Sequence, residues 1–121
     1  MLSFGFPPLI SASAQTLVLG TLPSRISLSR SEYYANPRNQ FWMIMAAATG
    51  VEVASTYSDH VAQLAKYEVA LWDVLAAATR SGSMDVDISD DAIPNNFPAL
   101  FQAYPSIRLI GFNGGSGPAI I

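Results

Sequence analysis

The chain has no cysteine among its 121 residues, which excludes disulfides and thiolate metal sites and fits a cytosolic protein. Histidine and lysine are almost as scarce. His60 is the single histidine; it falls at the start of a predicted helix, where a surface position is expected, so neither a histidine-based triad nor a metal cluster is supported. Charge is thin as well: 12% of the residues are charged and the net charge is −3. No apolar run approaches the roughly 20 residues of a membrane span. The first ten residues lack a basic segment and carry Pro7 and Pro8, a pattern that does not read as a signal peptide. A negative chain argues mildly against a nucleic-acid partner, but the average hides an asymmetry. Arg25, Arg30 and Arg38 lie close together and are opposed there only by Glu32, whereas Asp85, Asp87, Asp90 and Asp91 cluster far along the chain. A local basic patch binds phosphates in a protein that is acidic overall; three solvated surface arginines would leave the same trace. The acidic cluster lacks the spacing and closing glutamate of a calcium loop and reads as a solvated segment.

What is present suits one domain with a real core: half of the residues are hydrophobic and 11% are aromatic. Leu17-Val18-Leu19, closed by Gly20, reads as a buried strand. A helix is expected from near Pro37, with Asn36 as its N-cap, through Phe41, Trp42, Ile44, Met45 and Ala48 to a stop at Gly50. Ser58 or Asp59 opens a second helix whose apolar face holds Val61, Leu64, Ala65 and Tyr67. Residues 69–72 read as a strand that turns into a loop near Asp73, and residues 80–89 as a long loop. Asn95 or Asn96 caps a short helix over 97–104, ended by Pro105, and residues 107–112 form another buried strand. This alternation predicts an α/β fold with a mainly parallel sheet. Trp42 and Trp72 are most simply core residues. The glycine-rich stretch from Gly111 to Gly117 lacks the ending of a P-loop and reads as a tight turn after a strand.

The segment from Gly20 to Trp42, GTLPSRISLSRSEYYANPRNQFW, concentrates the polar and aromatic groups. It follows a strand, where α/β folds usually place their chemistry. Asn39 has both a carbonyl acceptor and an amide donor. It can hold a water in place, although it is too weak a base to take a proton early. That suits a reaction in which water attacks late on an already cationic sugar, as in cleavage of an N-glycosidic bond. The competing reading makes Asn39 a helix-start residue that satisfies backbone.

YYANPRNQFW, preceded by GTLPS after a strand, resembles the uracil-DNA glycosylase superfamily, nearest to its mismatch-specific and hypoxanthine-DNA (deoxyinosine) glycosylases. The similarity extends to ALWDVL with Arg80, Gly82, Ser83 and Asp85 after it, and to a later strand ending Phe-Asn-Gly. It covers most of the chain, from about Leu17 to Gly114. The resemblance implies a three-layer α/β/α domain with a short, mainly parallel sheet. It implies a monofunctional DNA repair glycosylase that takes deaminated bases, hypoxanthine or uracil, out of damaged DNA by base flipping. Asn39 matches the residue that positions the hydrolytic water. Gly20, Thr21, Leu22, Pro23 and Ser24 match the loop lining the base pocket, Tyr34 the aromatic on which the base stacks, and Asn113 a residue that reads a base edge. Arg25, Arg30 and Arg38 are the candidates for DNA phosphate contacts. No cofactor, metal or membrane is implied. No lysine lies in the motif loop, so a Schiff-base step is not expected.

Two departures stand out. Asn36 occupies the place where many relatives have histidine. The superfamily also has a further strand with a Pro-Ser-rich loop that this sequence does not contain, so the expectation is a single domain incomplete at its C-terminal edge. That absence keeps a second reading open: a catalytically inactive glycosylase-like domain that binds nucleic acid or a base-like ligand. A third, resting only on the glycine-rich end, is an unrelated nucleotide- or phosphate-binding α/β domain.

Overall fold

A computed structural model describes residues 2–80 and 88–113. The apolar run predicted as a strand forms β2 (Thr16–Gly20), the middle of a parallel sheet between β3 (Val69–Asp73) and β6 (Leu109–Phe112). Thr16 pairs with Val69 on one side and with Leu109 on the other, and Gly20 pairs with Asp73. Side-chain alternation sends β2 and β3 into two cores. Leu17, Leu19 and Ala70 pack with Leu100, Phe97 and Phe101, so one face of the sheet is covered by α4 (Phe97–Ala103). Val18, Val69 and Leu71 pack on the opposite face with Phe41, Trp42, Met45 and Leu64, from α2 (Phe41–Thr49) and α3 (Tyr57–Lys66). Helices on both faces of a parallel sheet give the three-layer α/β/α arrangement expected.

Three strands and a helix lie outside the sequence reading. β1 (Leu2–Phe4) runs antiparallel to β4 (Leu75–Thr79), which also pairs with β5 (Ile93–Pro94), so a second, antiparallel sheet adjoins the parallel one. The loop expected after Asp73 is therefore mostly strand. The long segment after Gly20 contains α1 (Arg25–Arg30), whose N-cap Ser24 accepts the Ser27 N–H through its side chain.

The helix expected from Pro37 begins instead at Phe41. Asn36 and Asn39 fold the intervening residues into turns. The Asn36 carbonyl oxygens accept the Arg38 and Asn39 N–H groups, and Asn39 Oδ1 accepts the Phe41 N–H at 2.8 Å. Such local side-chain bonds compete with helix. Gly50 stops α2 as expected, at φ 75°. α3 begins at Tyr57 with Thr56 as its N-cap, one or two residues before the expected opening. Asn96 caps α4. β6 is not the buried strand expected. It is the edge of its sheet among the described residues, and Leu109, Ile110 and Phe112 are exposed. Of the expected loop over 80–89, residues 81–87 lie outside the described residues, and Ile88 bridges Arg80. No helix among the described residues is long and apolar enough to cross a membrane.

Candidate functional site

The carboxyl ends of β2 and β3 and the residue after β6 open into one cleft of about 400 Å³. The loop Gly20, Thr21, Leu22, Pro23, Ser24 forms one wall, with Tyr34, Asn36, Asn39 and Asn113 around it. All eight residues assigned by resemblance to catalysis and base binding thus come together, from three parts of the chain. Asn113 is held there by its backbone N–H, which donates to the Leu19 carbonyl at 2.8 Å. The three arginines do not line the cleft. Arg25 and Arg30 are exposed at the two ends of α1, the helix that follows the wall, and Arg38 is exposed in the turn beside Asn39.

Arg80 braces the wall from behind. It is buried, and its guanidinium donates to the carbonyls of Leu22 and Pro23. Those carbonyls would otherwise need water or another donor. The remaining motif residues after it, Gly82, Ser83 and Asp85, lie outside the described residues, as do Asp87 and residues 114–117 of the glycine-rich stretch. Asp91, placed with the acidic cluster, accepts from the backbone and side chain of Thr79, and those two bonds hold its carboxyl below the ordinary carboxylate range.

Tyr34 has left-handed backbone, φ 54°, a conformation that costs a non-glycine residue about 1–2 kcal/mol. The turn aims its hydroxyl at Gly20. One ring face is already stacked on Phe41, with centroids 3.9 Å apart, which leaves at most the opposite face for a stacked ligand. Burial pushes the phenol up to about 12; the neighbouring Asn113 side chain works against that rise and the Asp73 carboxylate adds to it. The buried hydroxyl closes no hydrogen bond of good geometry among the described residues. Burial first, and Asp73 next, also raise Tyr33, whose hydroxyl donates to the Pro7 carbonyl at 2.9 Å.

Asp73 is the residue that the sequence reading passed over. It ends β3, is 4% exposed and lines the cleft. Its carboxylate lies across the bare face of Gly20: a β-carbon there would stand 2.6 Å from Asp73 Oδ1 and 3.0 Å from Tyr34 Oη. A side chain at position 20 would therefore have to displace one of these groups. The available signal was a lone carboxylate ending an apolar run at a strand's carboxyl end.

Asn39 satisfies backbone, as one of the two readings made of it expects. Its Oδ1 caps the Phe41 N–H, and the residue also lines the cleft. Trp42 and Trp72 are half-buried, and their indole N–H groups donate to the Tyr33 and Phe6 carbonyls. His60 is not a simple surface residue; it stacks on Trp42 at 4.5 Å and 10°, away from the cleft. No group of three His, Asp or Glu side chains suited to a metal occurs among the described residues.

A strand-end cleft lined by side-chain amides, a phenol and a buried carboxylate defines an α/β protein with a polar cleft at the place where such folds bind ligands. No family model matches the chain. Its curated relatives include a protein named hypoxanthine DNA glycosylase from Methanosarcina barkeri, 36% identical over 111 residues that cover 91% of this chain and 70% of the relative. A protein of the same name from Methanosarcina acetivorans is 38% identical over 115 residues, 94% of this chain and 72% of the relative. A solution NMR structure of a protein from Methanosarcina acetivorans, provisionally assigned as a uracil DNA glycosylase, matches with a TM-score of 0.86 at 37% identity, over 98% of this chain and 74% of that one. The chain belongs to the uracil-DNA glycosylase superfamily, in its hypoxanthine-DNA glycosylase branch.

Proposed function

We propose that this protein is a monofunctional DNA glycosylase that hydrolyses the N-glycosidic bond of deaminated bases, hypoxanthine or uracil, after the base leaves the duplex. The observation that carries the reading is the convergence of Asn39, Tyr34, Asn113 and the Gly20–Ser24 wall on one cleft, in a chain whose relatives bear glycosylase names.

In this mechanism the flipped base enters the cleft, lies against the Tyr34 face opposite Phe41 and meets the Asn113 amide at its edge. Backbone dipoles of the wall stabilise charge gathering on the departing base. The sugar becomes cationic as the bond lengthens, so the nucleophile needs placement more than activation. One lone pair of Asn39 Oδ1 holds Phe41; the second accepts from a water and turns its oxygen toward the sugar carbon. Arg25, Arg30 and Arg38 contact phosphates around the lesion.

The test is strand cleavage after alkali treatment of duplexes carrying one deoxyinosine, one uracil or no lesion. Lesion-dependent cleavage is the expected result. A folded chain that binds lesion duplex without cleaving it would replace this reading with the binding-only one.

A further inference from the structure

The strained backbone of Tyr34 has to be held in place, and two of the side chains that hold it lie outside the cleft. We infer that Trp42 and Tyr57 are positioning residues of the site: by taking both backbone polar groups of Tyr33, they lock the turn that sets the Tyr34 ring in the cleft. The inference rests on the glycosylase reading, which gives Tyr34 its task, and adds to it the groups on which that task depends.

A residue's two backbone torsions are fixed once the peptide planes on either side of it are fixed. The plane before Tyr34 is held through the Tyr33 carbonyl, which accepts from Trp42 Nε1 at 3.2 Å. The plane after it is held through the Ala35 N–H, which donates to Ser27 Oγ at 3.1 Å. One plane further back, the Tyr33 N–H donates to Tyr57 Oη at 3.2 Å, across 24 residues of sequence. The three partners are side chains of three different helices, α1, α2 and α3. The Tyr33 side chain is pinned as well, through its hydroxyl on the Pro7 carbonyl and its ring against Phe6. A left-handed non-glycine residue persists only where its surroundings over-determine it, and here they do.

Ser27 lines the cleft, whereas Trp42 and Tyr57 do not. Their placement goes beyond the ordinary need of a buried aromatic to satisfy its polar tip. Two rings from different helices reach the donor and the acceptor of one residue, the one that precedes the strained Tyr34. They also pack edge to face on each other, at 6.1 Å and 83°. Tyr33 is 4% exposed, so a backbone group that loses its partner there has little water to turn to. With one bond gone, the chain before Tyr34 is free to rotate toward a relaxed φ, and the ring leaves its stack on Phe41.

The experiment removes the two bonds separately: Tyr57→Phe deletes the acceptor and Trp42→Phe the donor, and both keep an aromatic ring. Trp42 also meets Tyr34 and Phe41 edge on, so Tyr57→Phe is the cleaner of the two. Each substitution is made in wild type and in Tyr34→Ala, and single-turnover cleavage of a deoxyinosine duplex is measured with enzyme in excess. The placement of Tyr34 is read independently of activity, from the fluorine spectrum of protein labelled with 3-fluorotyrosine; the Tyr34 line is the one missing from Tyr34→Phe. Each substitution should slow wild-type cleavage about tenfold to a hundredfold and move the Tyr34 line toward its solvent-exposed position. In Tyr34→Ala it should slow cleavage by less than about twofold, since the residue acted through is already gone. A merely structural pair would lower the melting temperature, leave the Tyr34 line in place and slow both backgrounds alike; that result overturns the inference. An unchanged rate in an active enzyme also overturns it, while the glycosylase reading stands. If wild type cleaves nothing, the glycosylase reading fails, and the fluorine line still tests the positioning: a moved line supports it and an unmoved line overturns it. Should Trp42→Phe not fold, Tyr57→Phe, which removes a single oxygen, decides by the same readouts.

Discussion

Gly20 and Asp73 face each other at the ends of neighbouring parallel strands, and a β-carbon on Gly20 would lie 2.6 Å from the Asp73 carboxylate oxygen. Gly20→Ala therefore displaces that carboxylate and crowds the Tyr34 hydroxyl, which would lie 3.0 Å from the new carbon. Both are side-chain atoms and can move, so the expected stability loss is moderate, about 1–3 kcal/mol. Activity on deoxyinosine should fall much further than stability. Wild-type turnover in the variant would mean that the carboxylate and phenol have no bearing on the reaction.

Two substitutions separate the capping bond of Asn39 from the water-holding role proposed for it. Asn39→Ala removes the oxygen that caps Phe41, so a stability loss of about 0.5–2 kcal/mol is expected along with at least about a hundredfold loss of turnover. Asn39→Asp retains an acceptor for the Phe41 N–H and should melt near wild type. Lesion-duplex affinity should persist in Asn39→Ala; if binding and turnover decline equally, Asn39 is a turn residue alone.

Arg25 and Arg30 flank α1 outside the cleft. Replacing both with alanine should weaken binding to lesion and undamaged duplex alike and reduce the salt slope by up to about two. The ratio of the two affinities should hold. An unaltered slope removes both residues from the DNA contact surface.

Burial against Trp42 pushes the His60 imidazole below its ordinary value of 6.5, and the nearby Asp59 and Glu32 only partly oppose the shift. The unfolded chain therefore takes up this proton first as pH falls. The stability associated with neutral His60 is complete above about 6.5 and is lost as pH drops through the lowered folded-state value. Melting temperatures from pH 8 to 5 should decline in wild type and decline less in His60→Gln. Identical slopes would assign the acid sensitivity to other groups.

Much of the fold could be read from residues because its central strands are apolar on both faces and its helix boundaries use strong signals, Gly50 after α2 and Asn96 before α4. The antiparallel sheet could not. β1 has only three residues, β5 only two, and β4 reads LAAAT, rich in a residue with little strand preference. α1 was hidden by serines, which favour caps and turns. The cleft residues close in sequence, from Gly20 to Asn39, were legible as one group. Asp73 was not, because its relation to Gly20 exists only through pairing of strands separated by α1, α2 and α3. The three arginines, Arg25, Arg30 and Arg38, stood out by charge, a property that carries no information on distance to a cleft.

The same topology has a kinetic consequence. Within the parallel sheet no strand finds its partner nearby in sequence: Thr16 must meet both Val69 and Leu109, and in the second sheet Leu2 must meet Thr79. Loop-closure entropy must be met before these distant pairings stabilise anything, which makes such chains slow to fold. The cleft is assembled from the ends of those strands, so it comes into being only after the last of them has docked. A newly synthesised chain should acquire helical signal well before it acquires affinity for any ligand.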